Sequence, residues 1–73
     1  MNKSAAELLE LYYHEVRSHL LETAAAFDRF ERASAEGLPP DPRLAKLRLI
    51  AAIACDAQPE RAKRLLEALS DEA

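Results

Sequence analysis

Two clusters of histidine and carboxylate side chains are the residues of this sequence that could do chemistry. Glu7, Glu10 and His14 follow one another at spacings of three and four residues, which places them on one face of a helix. Helical di-iron proteins bind their metal through carboxylates and histidines that project inward from several helices. This first cluster therefore suggests a metal site, although its helix face is otherwise polar and open to water.

The second cluster, Glu15, His19 and Glu22, has spacings of four and three residues. His19 borders an apolar stripe, so a dimer could bring two copies of it together. The ordinary interpretation of both clusters is surface pairing of Glu with His, worth only a few tenths of a kcal/mol. A metal-binding helical oligomer is therefore the second hypothesis for function. Its candidate ligands are His14, His19, Glu10, Glu15 and Glu22.

No other residues form a catalytic pattern. Cys55 is followed by Asp56 at the end of a predicted helix, where the helix dipole and the neighbouring acid both oppose thiolate formation. A single Gly excludes a glycine-rich phosphate loop and a serine nucleophile elbow. We therefore predict no enzymatic activity and no cofactor.

The first element that positions these residues is a long helix over residues 5–36. Ser4 and Glu7 form a capping box, in which each side chain bonds the backbone N–H of the other residue. Neither Gly nor Pro interrupts the sequence until Gly37, which suits the left-handed residue that follows a helix.

Two shorter helices are predicted after a break at residues 38–40. Asp41 as N-cap and Pro42 at the first helical position start helix 2, which extends to residue 55. Helix 3 covers residues 59–70, with either Asp56 or Gln58 as its cap. The economical fold is all-α, with one domain over residues 1–73 in which helices 2 and 3 fold back along helix 1 as a helical hairpin, a three-helix arrangement.

Composition points to a helical protein that spans no membrane. Of 73 residues, 15 are Ala and 12 are Leu, and both are strong helix formers. The longest charge-free run, residues 49–55, falls far short of the ~20 residues that cross a bilayer. A single thiol suits a reducing compartment, and the first residues lack the layout of a signal peptide. We therefore expect a cytoplasmic protein of bacterial type.

Nucleic-acid binding is the third hypothesis, and the net charge of −3 disfavours it. Helix 2, the break and helix 3 superficially resemble a helix-turn-helix. Its candidate basic patch would consist of Arg43, Lys46, Arg48, Arg61, Lys63 and Arg64. Glu60 and Glu67 lie at helical spacing from some of these residues, which is more typical of a solvated, ion-paired face.

The apolar residues of helix 1 favour self-association as the first hypothesis. A heptad seam at alternating spacings of four and three can pack against helices 2 and 3. That seam consists of Leu9, Tyr13, Val16, Leu20, Thr23, Phe27, Phe30 and Ser34. Leu11 and Leu21 fall away from it, and Tyr12 lies on its shoulder. A core this small needs a further source of stability. We therefore predict a homodimer completed as a four-helix-like bundle, with a non-enzymatic protein–protein interaction role and an interface at Leu11, Tyr12 and Leu21.

Overall fold

Three α-helices make up the part of the protein that the computed structural model describes, residues 2–34, 37 and 41–70. They are α1 (Ala5–Ala33), α2 (Pro42–Cys55) and α3 (Arg61–Ser70), and no strand occurs among these residues. The all-α prediction is confirmed. The chain divides into two units, Met1–Leu38 and Pro39–Ala73. A single domain, with helices 2 and 3 folded back along helix 1, stays a prediction.

The start of α1 is fixed by the capping box that the sequence predicts. The Ser4 N–H donates to Glu7 Oε1 at 2.9 Å, and the Glu7 N–H donates to Ser4 Oγ at 3.1 Å. These bonds satisfy backbone donors that have no partner inside the helix. Hydrogen bonds from the Ser4 backbone and side chain lower the pKa of Glu7, so its carboxylate stays charged beside the positive end of the helix dipole.

The end of α1 comes earlier than predicted. The helix ends at Ala33, and Ser34 takes an extended conformation while its N–H donates to the Glu31 carbonyl at 3.3 Å. Absence of Gly and Pro permits a helix but does not hold its last turn, and Ser favours non-helical backbone. Residues 35 and 36, the rest of the predicted helix, lie outside the described residues. Gly37 has a φ of +91°, the left-handed conformation expected of it.

The start of α2 also follows the prediction. Asp41 caps it by accepting from the Arg43 N–H at 2.9 Å, and Pro42 takes the first helical position. The guanidinium of Arg43 also donates to the Asp41 carboxylate, with Nη2 at 2.7 Å from Oδ2. This side-chain bond is the main reason that the pKa of Asp41 falls to about 2.

The break between α2 and α3 is organised by Asp56. Its carboxylate accepts two bonds from the Arg64 guanidinium, at 2.8 and 2.7 Å, and a third from the Gln58 N–H at 3.0 Å. Arg64 also donates to the carbonyls of Gln58 and Pro59, at 3.0 and 2.9 Å. One guanidinium therefore ties the carboxylate to two successive loop carbonyls, in the planar fork geometry to which Arg is suited.

Helix α3 begins two residues later than predicted. Glu60 precedes it with a φ of +57°, so residues 59 and 60 stay outside the helix. The Glu60 carbonyl accepts from the Arg64 N–H at 3.0 Å and so starts the helical bonding. The sequence left the cap open between Asp56 and Gln58. In the structure Asp56 caps the end of α2 instead, because its N–H donates to the Ile53 carbonyl.

Helices α2 and α3 pack against each other within the second unit. Half-buried side chains between them include Ile50, Ile53 and Leu65. Lys46 on α2 donates from Nζ to the Ala68 carbonyl in the last turn of α3, at 2.7 Å. That carbonyl has no partner within the helix, and a cation there also complements the helix dipole.

No helix in the ranges that the structure describes is both long enough and apolar enough to cross a membrane.

We predict that Asp56→Asn lowers the melting temperature of the full chain by several degrees, because the amide cannot hold the Arg64 guanidinium as a carboxylate does. Hydrogen bonds from Arg64 lower the pKa of Asp56 from 3.8 to about 2. The carboxylate therefore stabilises the folded chain above pH 3.8, and this contribution is lost as the pH falls through about 2. Thermal unfolding by circular dichroism should show the difference between wild type and variant vanishing over that range. Glu67→Gln on α3 is the control; an equal effect of that variant would contradict the assignment.

We predict that Lys46→Met costs about 1 kcal/mol of stability, because it keeps the apolar stem but removes the bond to the Ala68 carbonyl. Amide hydrogen exchange should quicken in the last turn of α3. Lys63→Met is the matched control, because the Lys63 ammonium lies 3.7 Å from Glu60 in an exposed pair, worth a few tenths of a kcal/mol. Equal effects of the two variants would argue against a structural role for Lys46.

Candidate interaction surface on helix α1

An apolar stripe on α1 is a candidate interaction site in the first unit. We define it by five residues that share one side of the helix, Leu9, Tyr12, Tyr13, Val16 and Leu20. Their side chains are between 47% and 66% exposed. Scattered apolar residues on a surface are normal, but a contiguous apolar patch marks a contact site.

A shallow depression lies along this stripe. It is lined by the five stripe residues together with Arg17 and Leu21. Apart from the guanidinium of Arg17 and the two tyrosine hydroxyls, its lining side chains are hydrocarbon. Burial of this hydrocarbon against another apolar surface would be favourable in free energy. The polar tips of Tyr and Arg suit the edge of such a contact, where they can stay in water.

The heptad seam continues beyond the stripe toward the end of α1. The rings of Phe27 and Phe30 meet edge to face, with centroids 5.9 Å apart. Thr23, the polar member of the seam between them and Leu20, donates its hydroxyl to the His19 carbonyl at 2.8 Å. Because this bond lies within the helix, Thr23 needs no polar partner from another chain.

The structure brings together two of the three residues predicted for the interface. Tyr12 and Leu21 both line the depression. Leu11 is 58% exposed but is not among the lining residues, since it lies well around the helix from the stripe. An interface role for all three stays a prediction.

Sequence reasoning assigned the other stripe residues to packing inside one chain. In the structure Leu9, Tyr13, Val16 and Leu20 are each about half exposed or more, so they belong to the candidate surface. The heptad spacing was the signal that could have identified them. That spacing has the same form whether the partner helix belongs to the same chain or to another.

The two histidine clusters do not converge into a metal site within one chain. His19 Nε2 lies 3.7 Å from Glu15 Oε1, and both side chains are about two-thirds exposed. His14 instead meets the ring of Tyr13 edge to face, with centroids 5.4 Å apart. In residues 2–34, 37 and 41–70, no group of three or more His, Cys, Asp or Glu side chains could hold a metal ion. Glu10 and Glu22 therefore join no ligand set there.

Five of the six basic residues of α2 and α3 are engaged within their own unit. Arg61 and Arg64 pair with Asp56, and Lys63 pairs with Glu60. Arg43 and Lys46 bond Asp41 and the Ala68 carbonyl, as described above, and Arg48 also has a partner. The hydrogen bond with Asp56 raises the pKa of Arg64. These guanidinium and ammonium groups thus serve the helix ends and the break.

Cys55, the only cysteine, ends α2 with an exposed thiol. The group beside it, Asp56, is occupied by Arg64. Cys55 is thus a free surface cysteine.

Comparisons with protein-family models, with curated proteins and with solved structures find no match to this chain.

We predict that the protein purified without a histidine tag carries no stoichiometric metal, and that His19→Ala leaves its metal content and oligomeric mass unchanged. The reason is that His19 has one carboxylate neighbour, whereas a metal site needs several convergent ligands. Elemental analysis by mass spectrometry measures this. Bound metal at one equivalent per chain or per dimer, lost in His19→Ala but kept in the matched variant His14→Ala, would establish the metal-binding hypothesis instead.

Proposed function

We propose that this protein is a small non-enzymatic helical protein that acts through protein–protein contact, and first of all through pairing with a second copy of itself. One observation carries the proposal. The apolar stripe of α1 presents five large side chains, each about half exposed or more, on one continuous face.

The free energy of burying this stripe supports a stable contact. Full burial of a Leu, Val or aromatic side chain contributes about 1.5–3 kcal/mol. The stripe residues retain roughly half of their accessible surface, so each has about half of that contribution still to gain. Two facing stripes double the number of side chains, which brings association into the range where it can outweigh the entropy cost of pairing.

A second copy is the simplest occupant of the stripe. In a twofold symmetric contact the same patch serves both subunits, so one apolar stripe needs no separately evolved partner. In this proposal two chains complete a four-helix-like bundle. Tyr12 and Leu21 contribute at the edge of the contact, and Leu11 lies farthest from its centre.

We propose no catalytic step and no cofactor for the protein, because the histidines, carboxylates and thiol in the described ranges are paired locally or stand alone. We further propose that it works in a reducing, cytoplasmic setting, which suits the exposed thiol of Cys55. A protein partner other than a second copy would bind the same stripe.

We predict that the wild-type chain has twice its monomer mass of 8.1 kDa at low micromolar concentration, and that Val16→Glu is monomeric. A carboxylate at the middle of the stripe would have to be buried without a partner, at a cost of several kcal/mol. Light scattering after size exclusion and sedimentation equilibrium both measure the mass.

The matched control is Ser18→Glu, which adds the same carboxylate two residues away, on the opposite side of α1 from the stripe. We expect it to remain dimeric. A wild-type chain that stays monomeric at all concentrations, or a Val16→Glu variant as dimeric as Ser18→Glu, would overturn the proposal. Circular dichroism of each variant verifies that the helices are retained.

A further inference from the structure

Two opposite charges flank the apolar stripe on the same edge of α1. Glu10 and Arg17 lie seven residues apart, two helical turns, and therefore share one heptad position. Both are exposed, and neither forms an ion pair with any residue in the described ranges. They are too far apart along the helix to pair with each other, so each is available to a charge on another chain.

The two edges of the stripe differ in character. In heptad terms the seam residues Tyr13, Leu20 and Phe27 are one core position, and Leu9, Val16, Thr23 and Phe30 are the other. The charged edge continues from Glu10 and Arg17 to Ala24 and Glu31. The opposite edge carries Tyr12, His19, Ala26 and Ala33.

The direction of pairing decides which edges meet. In a parallel pair the charged edge of one helix faces the edge of the other helix that carries Tyr12 and His19. That edge offers no acidic residue to Arg17 and no Lys or Arg to Glu10. In an antiparallel pair each edge faces its own counterpart. Glu10 of one chain can then meet Arg17 of the other, and the twofold axis repeats that ion pair.

The charges also distinguish among antiparallel registers. If the partner helix slides by one heptad so that the contact moves toward the C-terminal end of α1, Arg17 faces the partner's Arg17. A further shift by one heptad would set Glu10 against the partner's Glu31. Both shifted registers place like charges together, which is unfavourable. A third shift would set Arg17 against the partner's Glu31, but it would leave Leu9 and Tyr13 facing positions beyond the end of the partner's α1 at Ala33. Among these registers, the one centred between His14 and Glu15 therefore pairs opposite charges on this edge and also covers the stripe.

We propose that α1 pairs antiparallel with α1 of a second copy in this register, with Glu10 of each chain against the partner's Arg17. This inference rests on the proposed self-association and adds its direction and register. Leu9 then packs near the partner's Leu20, and Tyr13 near the partner's Val16. The centre of the register coincides with the depression, which extends from Leu9 to Leu21. Antiparallel helix dipoles add a favourable term.

Charge reversal in the full-length chain tests the register. Glu10→Arg creates two like-charge contacts with Arg17 per dimer, and Arg17→Glu creates two with Glu10. We expect each single variant to raise the dimer dissociation constant about tenfold at low salt, an effect that high salt reduces. The double variant Glu10→Arg/Arg17→Glu should return to the wild-type value, because it has the same charges with the positions exchanged.

Mixing provides an independent measurement. In a heterodimer of Glu10→Arg with Arg17→Glu, both contacts join opposite charges, so an equimolar mixture should dimerise more tightly than either variant alone. Glu22→Arg and Arg29→Glu form the matched control pair, because they are also seven residues apart but lie away from the stripe. We expect both to dimerise as the wild type does.

The outcomes separate the two proposals. A wild-type chain that is monomeric overturns the self-association and this register together. A dimer whose affinity responds to Glu10→Arg no more than to Glu22→Arg overturns the register alone. A double variant as weak as the single ones also overturns the register. Recovery in both the double variant and the mixture establishes the reciprocal Glu10–Arg17 contact.

Discussion

An apolar stripe on a 29-residue helix imposes the main constraint on this protein. The backbone hydrogen bonds of α1 are satisfied within the helix and at its capping box, so they make no demand on a partner. The stripe side chains do, because their hydrocarbon stays in water until another apolar surface covers it. In the proposed dimer, a second copy would supply the apolar surface that covers this long helix of a small chain.

In the second unit, several apolar side chains are partly covered within the unit itself. Its two short helices pack against each other, and polar contacts fix their geometry. Asp56 and Arg64 have side chains about one-third exposed, so their bidentate contact is better shielded from water than a surface ion pair. The guanidinium also satisfies two loop carbonyls, and this combination specifies a particular turn, whereas apolar packing alone would allow several.

Local signals in the sequence predicted the starts of α1 and α2 well. Ser4 with Glu7, and Asp41 with Pro42, each place a donor and an acceptor within a few residues, so the result depends little on the rest of the chain. The end of α1 and the start of α3 were placed less well. Ser34 and Glu60 adopt non-helical backbone, which the composition of the sequence neither forbids nor requires. The start of α3 also depends on Arg64, which lies within α3 and contacts residues across the break, so it is not set by neighbouring residues alone.

The candidate surface shows a similar division. The heptad spacing places Leu9, Tyr13, Val16 and Leu20 on one face, because spacing reports which side chains share a face. The spacing does not say what packs on that face. Leu11 lies away from the depression, and its role in an interface stays a prediction. The histidine clusters also share a face, but ligands on one face of one helix approach from too few directions to enclose a metal ion.

The backbone of Glu60 gives α3 a weak point. A non-glycine residue with a φ of +57° carries strain, which is retained only while the contacts around it hold. Those contacts are concentrated on Arg64, three residues inside α3. Release of that single side chain would free the carbonyls of Gln58 and Pro59 and leave the Asp56 carboxylate with only the Gln58 N–H and the more distant Arg61. We therefore expect local opening of the second unit to begin at this break and to take α3 with it, since a helix of ten residues is too short to persist by itself.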